Sequence, residues 1–214
     1  GQYDLAQISL VSNINLIGSG IPTVLFLIAN TNETLLDGSN VDYATISDLK
    51  IDGNGANQSG GFPHGIGFSN GSTYNLIERV YIYDCTYNDV ANAITFLNSS
   101  NNTVRDVYAE NCDNAVIFHN SSYNICENSR AFNISTEAFV SYTQPGAELE
   151  ATYNIIRGCL SVESNTGFAL LSSRYSTIEG CHSVNDLWGY KSTSTLSDAH
   201  NSIINNKLDR NDAS

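Results

Sequence analysis

The sequence predicts an all-β fold, a parallel β-helix built as one solenoid domain over residues 1–214. Three observations predict it. Asn-led segments with strand-like alternation recur along the chain, a second set of apolar pentads falls between them, and the residues of successive segments align in columns. The first set reads "ATISDLKI" (44–51), "NLIERVYI" (75–82), "NTVRDVYA" (102–109), "NICENSRA" (124–131), "NIIRGCLS" (154–161), "STIEGCHS" (176–183) and "NSIINNKL" (201–208). The second reads "HGIGF" (64–68), "NAITF" (92–96), "NAVIF" (114–118), "EAFVS" (137–141), "TGFAL" (166–170) and "WGYKS" (188–192). Successive units of the first set start 22 to 31 residues apart.

Within each unit of the first set the third, sixth and eighth positions are small or apolar, as in Ile77, Val80 and Ile82. That is strand spacing with one local offset, whereas helical repeats need amphipathic runs of ten or more residues. Leucine-rich repeats would need a Leu-dominated consensus, which is missing. A unit this small cannot bury its own apolar face, so it stacks on its neighbours about 4.8 Å away, and about seven or eight rungs make a rod roughly 35 Å long.

The columns carry the prediction further. The position before each unit holds Tyr43, Tyr74, Asn101, Tyr123, Tyr153, Tyr175 and His200, and the first position holds Ala44, Asn75, Asn102, Asn124, Asn154, Ser176 and Asn201. Stacked aromatics and Asn ladders are what in-register parallel strands stabilise. The fourth column alternates in sign through Glu78, Arg105, Glu127, Arg157 and Glu179, with Asp48, Arg79 and Asp106 beside it. Such pairs are weak singly but oppose like-charge stacking, and they give three of the Arg residues structural work. The five Cys follow the columns as small core fillers, and Cys159 and Cys181 are expected as buried neighbouring thiols. No compact Cys or His spacing supports zinc.

Composition narrows the function. Charged residues are 14% of the chain, yet 41% is hydrophobic with 12 Tyr and 8 Phe, which argues for a packed core over disorder. A net charge of −13 excludes an extended nucleic-acid footprint. The longest apolar run, "VLFLIA" (24–29), suits a buried strand and is far short of a membrane span. The chain starts at Gly1 without any Met, as expected of a processed protein or a piece of a longer chain.

"SNINLIGSG" (12–20), "ISDLKIDGNG" (46–55), "NSSYN" (120–124) and "NAVIF" (114–118) resemble the rungs of the right-handed parallel β-helix superfamily, which includes pectate lyases, polygalacturonases, alginate epimerases and phage tailspikes. The resemblance implies a right-handed, pectate lyase-like solenoid. It rests on residues that set the fold and selects no single member.

Acidic residues gather after the first-set strands. Asp52, Asp84, Asp89 and Asp113, with His64 of "FPHGIGF" (62–68), are the candidate catalytic residues, and Asp84, Glu110 and Asp113 are the candidate calcium ligands. His64 is faintly similar to a polygalacturonase GHG element, but Pro63 replaces the first Gly and no paired-Asp motif precedes it. The R-x-P-x-x-R pattern of pectate lyases is also missing. No cofactor other than calcium is implied. The outward seventh column offers Tyr81, Tyr108 and Arg130 as a face for sugar rings or a protein partner. Asn32, Asn57, Asn70, Asn98, Asn101, Asn120 and Asn133 stand in N-glycosylation sequons.

Without a complete catalytic set, the sequence reads as an extracellular or cell-surface structural protein that does no chemistry of its own. It would be glycosylated and would assemble, as a sheath, filament, wall or adhesin component, through its rod ends or the Tyr81–Tyr108 face. The alternative is a polysaccharide-active enzyme (a lyase, glycoside hydrolase or epimerase) or a tailspike-like glycan-binding fragment. Polysaccharide is the partner in that case.

Overall fold

The computed structural model describes residues 1–20, 22–193 and 200–210. It is the predicted parallel β-helix, with no α-helix among the described residues and a single 3-10 turn at Gly55–Asn57. All strand pairs are parallel and fall into two sheets. Sheet B stacks eight strands, from Ile8–Ser9 through Leu36–Ser39, Ile66–Ser69, Asn92–Leu97, Asn114–His119, Glu137–Tyr142 and Thr166–Leu171 to Trp188–Thr193. Sheet A contains the Asn-led units. Two of these, Thr45–Asp52 and Leu76–Tyr83, are unbroken strands, and each later unit is split into two short strands.

The split is the local offset seen in the sequence. Asp48, Arg79, Asp106, Asn128, Gly158, Gly180 and Asn205 share one column, and all have φ between 51° and 61°. A left-handed residue in mid-strand turns the chain and resets the side-chain alternation. Asn, Asp and Gly bear that conformation at least cost, so they recur there. A second such column is the one led by Tyr43 and Tyr74. A third follows sheet B at Asn40, Asn70, Asn98 and Asn120, and a fourth follows sheet A at Asp84, Asn111, Asn133 and Asn185. The abundance of Asn is therefore corner chemistry.

Register holds the columns as predicted. Ile77 pairs Val104, which pairs Cys126, and all three side chains are fully buried. Phe68 stacks on Phe96 inside sheet B at a centroid distance of 5.6 Å, and Phe96 meets Phe118 in a tilted pair at 5.7 Å. The Asn column faces inward and is satisfied by its neighbours. Asn102 Nδ2 donates to Asn124 Oδ1 at 3.1 Å, Asn124 Nδ2 to Asn154 Oδ1 at 3.2 Å, and Asn75 Nδ2 to Asn102 Oδ1 at 3.0 Å. Arg105 meets Glu78 and Arg157 meets Glu127, each at 2.6 Å, and Arg79 reaches Asp48 at 2.7 Å. All five cysteines are buried free thiols, with Cys126 and Cys159 sulfurs 3.9 Å apart.

Interior columns run out at the final described rung. Ile203 pairs Ile178 and Leu208 pairs Ser183, both partners fully buried, yet Ile203 is 41% and Leu208 56% exposed.

Candidate functional site

The outer face of sheet B carries a cleft of about 630 Å³. Its floor follows from the alternation of the strands. Inward Phe68 and Phe96 fill the core, so the residues between and beside them point out: Asp37, Gly67 and Thr95 in one register column, and Ser69, Leu97, His119 and Tyr142 in the next. Gly67 has a steric reason. A Cβ there would meet Thr34 Cγ2 at 3.1 Å, so glycine lets the 33–34 segment cross the floor. One wall is formed by Phe62 and His64 with Asp89 and Val90, and Gln144 borders the other side.

The polar groups of the floor are ordered. Asn92 Nδ2 donates to Thr95 Oγ1 at 2.8 Å, and Asn114 Nδ2 donates to Asn92 Oδ1 at 2.7 Å. His64 Nδ1 accepts the Asn92 N–H at 3.0 Å, which leaves the neutral ring's proton on Nε2. Desolvation pulls the His64 pKa down to about 4, so the ring stays neutral at physiological pH. His119 packs against Tyr142 with ring centroids 4.9 Å apart and the rings tilted, its pKa also lowered by burial.

Two carboxylates stand at the same end. Burial raises the Asp37 pKa, and the negative charge of Glu33 raises it further. Asp37 thus holds a proton more readily than an ordinary aspartate, and the exposed Glu33 stands close enough for its charge to add to that effect. A carboxyl group with a raised pKa in a cleft suits a proton donor. None of the described residues lining the cleft is Lys or Arg.

Of the residues singled out in the sequence, His64 and Asp89 lie in this cleft. Asp52 and Asp84 lie elsewhere, around a smaller depression with Gly55 and Thr86. Asp52 accepts from the Asn54 N–H at 2.9 Å and from Tyr83 Oη at 2.6 Å, while Asp84 accepts from Asn111 Nδ2 at 3.2 Å. Asp113 is 3% exposed and structural in its contacts: Oδ2 accepts the N–H groups of Tyr87 and Ala91, and Oδ1 accepts from Ser135. It ties down the loop that carries Asp89. Glu110 accepts a short hydrogen bond from Tyr81, and Tyr81 packs against Tyr108 in a tilted pair with centroids 5.1 Å apart, with Arg130 exposed next to Tyr108 in register. No three His, Cys, Asp or Glu side chains among the described residues form a group able to hold a metal. Glu33, Asp37, Phe62, Thr95, His119 and Tyr142 were not singled out in the sequence. Thr95 lies at an outward position of the second pentad set, and His119 and Tyr142 directly follow such pentads, whereas Glu33, Asp37 and Phe62 lie outside the set.

The sequence model of the family described as "Periplasmic copper-binding protein (NosD)" matches residues 28–214. No curated protein sequence matches the chain. Among solved structures, it overlays the catalytic domain of a GH87 alpha-1,3-glucanase in complex with nigerose with a TM-score of 0.76 at 19% identity, over 99% of this chain. It spans 40% of that domain's length. Endo-xylogalacturonan hydrolase from Aspergillus tubingensis overlays with a TM-score of 0.60 at 13% identity, over 97% of this chain and 73% of the other. The ORF18 protein of Geobacillus virus E2 gives 0.67 at 12% identity, over 97% and 51%. At these identities the overlays establish the shared β-helix.

No group of three His, Cys, Asp or Glu side chains among the described residues is placed to hold the copper of the family description. Copper(I) favours thiolate and thioether sulfur, and copper(II) favours nitrogen and oxygen in a tetragonal set. The chain has no Met. Its thiols face the core, where Cys85 is kept protonated by its Cys112 hydrogen bond and burial, Cys159 by burial and Cys126, and Cys181 by Cys159 and burial. His64 has committed Nδ1 to Asn92, and His182 Nε2 lies 2.9 Å from Asp209.

Proposed function

The chain belongs to the NosD family, and from that premise and the sheet B cleft we propose that it is a secreted or periplasmic glycan-active β-helix that takes a neutral polysaccharide. The carrying observation is the make-up of the cleft. It combines aromatic faces (Phe62, Tyr142), ordered amides and a hydroxyl (Asn92, Asn114, Thr95), and carboxyl groups, with no Lys or Arg at its lining. Sugar rings present C–H faces to aromatics and hydroxyls to amides, so this lining suits them. A polyuronate would bring its own negative charges to Glu33, Asp37 and Asp89 on a chain of net charge −13, which opposes binding. Asp37 is the proton donor to a glycosidic oxygen in this reading, its pKa raised by burial and further by the charge of Glu33. The shared β-helix of the GH87 alpha-1,3-glucanase and the periplasmic description of the family support the same reading. The test is a panel of neutral and acidic polysaccharides, scored for binding and for new reducing ends. Binding and cleavage of a neutral glycan are expected. Binding without cleavage would reduce the protein to a glycan-binding module, and preference for polyuronates would overturn the reading.

A further inference from the structure

The exposed tyrosine column on the corner before sheet A contains one gap. Tyr123, Tyr153, Tyr175 and His200 form a continuous stack with centroids 5.0, 5.0 and 5.3 Å apart, and Tyr43 stacks on Tyr74 at 5.2 Å. Between Tyr74 and Tyr123 the column position is Asn101. The register is continuous across it, since Leu76 pairs Thr103 and Thr103 pairs Ile125. Tyr74 and Tyr123 are therefore two rungs apart, about 9.6 Å. A ring placed midway would sit about 4.8 Å from each, close to the stacking distance the column already uses.

Exposure shows that the facing ring surfaces are open. Tyr153 and Tyr175, covered on both faces, are 44% and 41% exposed, whereas Tyr74 and Tyr123, each stacked on one face only, are 54% and 55% exposed. The slot cannot collapse, because each ring is fixed from behind by its stacked neighbour and the backbone by ladder bonds such as Asn101 N–H to Ser122 O at 3.1 Å.

The geometry points to a single-ring binding slot between Tyr74 and Tyr123 that takes a pyranose. The base of the slot decides against an aromatic guest. Asn101 is exposed, and its carboxamide makes no hydrogen bond within the protein among the described residues. A ring sliding over it displaces its water, and an unpaired buried amide costs about 1–3 kcal/mol. A pyranose replaces that water with a ring hydroxyl, and a phenyl group does not. The sugar has two sources, a free glycan or one attached to Asn101 itself, which opens the sequon Asn101-Asn102-Thr103. The slot lies outside the sheet B cleft, and its existence does not depend on the reading of that cleft.

The experiment follows labelled tyrosine ring signals by NMR in unmodified recombinant protein titrated with glucose and N-acetylglucosamine. A second arm measures the mass of the Asn101 peptide from the native host. The titration is expected to shift Tyr74 and Tyr123 and spare Tyr153 and Tyr175, or the native peptide to carry a sugar whose protons contact the same two rings. Asn101→Tyr fills the slot and should abolish both signals. It should fold, because five tyrosines already hold φ of 51° to 58° in this column. Tyr123→Ser is the second variant, expected to weaken binding about tenfold by removing one stacking face. Unmoved Tyr74 and Tyr123 signals at the solubility limit, together with an unmodified native Asn101, would overturn the proposal. Shifts that survive Asn101→Tyr, or a native sugar that touches neither ring, would do the same.

Discussion

Asp37 and Gly67 are direct partners in the parallel register of sheet B, so the Asp37 carboxyl stands beside a position with no side chain to cover it. The proton donor of the proposed reaction is thus half-buried by its own strand yet open along the cleft. Asp37→Asn keeps the shape and removes the transferable proton. Cleavage of a neutral glycan should fall by about 10²- to 10⁴-fold, with affinity changed much less. The same variant reports on stability. Asp37 has a raised pKa in the fold, so its contribution is present below the unfolded value near 3.8 and is lost as pH rises through the folded value. Asp37→Asn should therefore melt above the unaltered chain at pH 7, and the difference should vanish at pH 3.

Phe62 is 63% exposed at the rim of the cleft, with its ring centroid 6.0 Å from that of His64. An aromatic side chain so open adds little to folding, and stacking on a sugar is a sufficient reason for its place. Phe62→Ala should weaken glycan binding by about 1 kcal/mol or more while thermal stability changes within about 0.5 kcal/mol. Calorimetry of binding beside a melting curve separates the two effects.

Much of the fold was legible because each rung repeats the last. The Asn ladder, the charge alternation and the interior place of Ile77, Val104 and Cys126 follow from register alone. Less of the candidate site was legible, since clustered Asp residues invite a functional reading that their conformation explains. Asp84 occupies the left-handed corner that Asn111, Asn133 and Asn185 occupy on other rungs, and Asp113 is consumed by loop amides. Asp37 had no such cluster in sequence. It became visible only when stacking put it beside Gly67 and near the 62–64 wall.

His64 gives a second pH signature. Its folded pKa, about 4, lies below the ordinary value of 6.5, so the unfolded chain binds more protons between those limits. Stability should be level above pH 6.5 and fall progressively toward pH 4. His64→Gln should flatten that slope in chemical denaturation series at pH 7, 6, 5 and 4. A slope unchanged in the variant would mean that water reaches the ring.

Asn102 is fully buried and works in both directions. Its Oδ1 accepts from the Asn75 N–H at 2.9 Å and from Asn75 Nδ2, while its Nδ2 donates to Asn124 Oδ1 and to the Ser72 carbonyl. Asn102→Ala strands partners on two neighbouring rungs at once. Each stranded group costs about 1–3 kcal/mol, so a loss of roughly 3–5 kcal/mol is expected in denaturant unfolding. The exposed Asn133, whose Nδ2 donates to Asn111, is the control, and Asn133→Ala should cost about 1 kcal/mol or less.

The thiols test whether copper has a place in this chain. All five cysteine side chains face the solenoid interior at 2% exposure or less, and those of Cys85, Cys159 and Cys181 are held in the protonated form. A metal ligand must be the thiolate, and it must be reachable. Native protein should therefore leave a thiol reagent unreacted over minutes, and denatured protein should titrate five groups. Copper(I) offered in competition with a chelator should follow the same pattern, ignored by the folded chain and bound after unfolding. Stoichiometric copper uptake by the native form, with the thiols still shielded, would require donors other than the core cysteines.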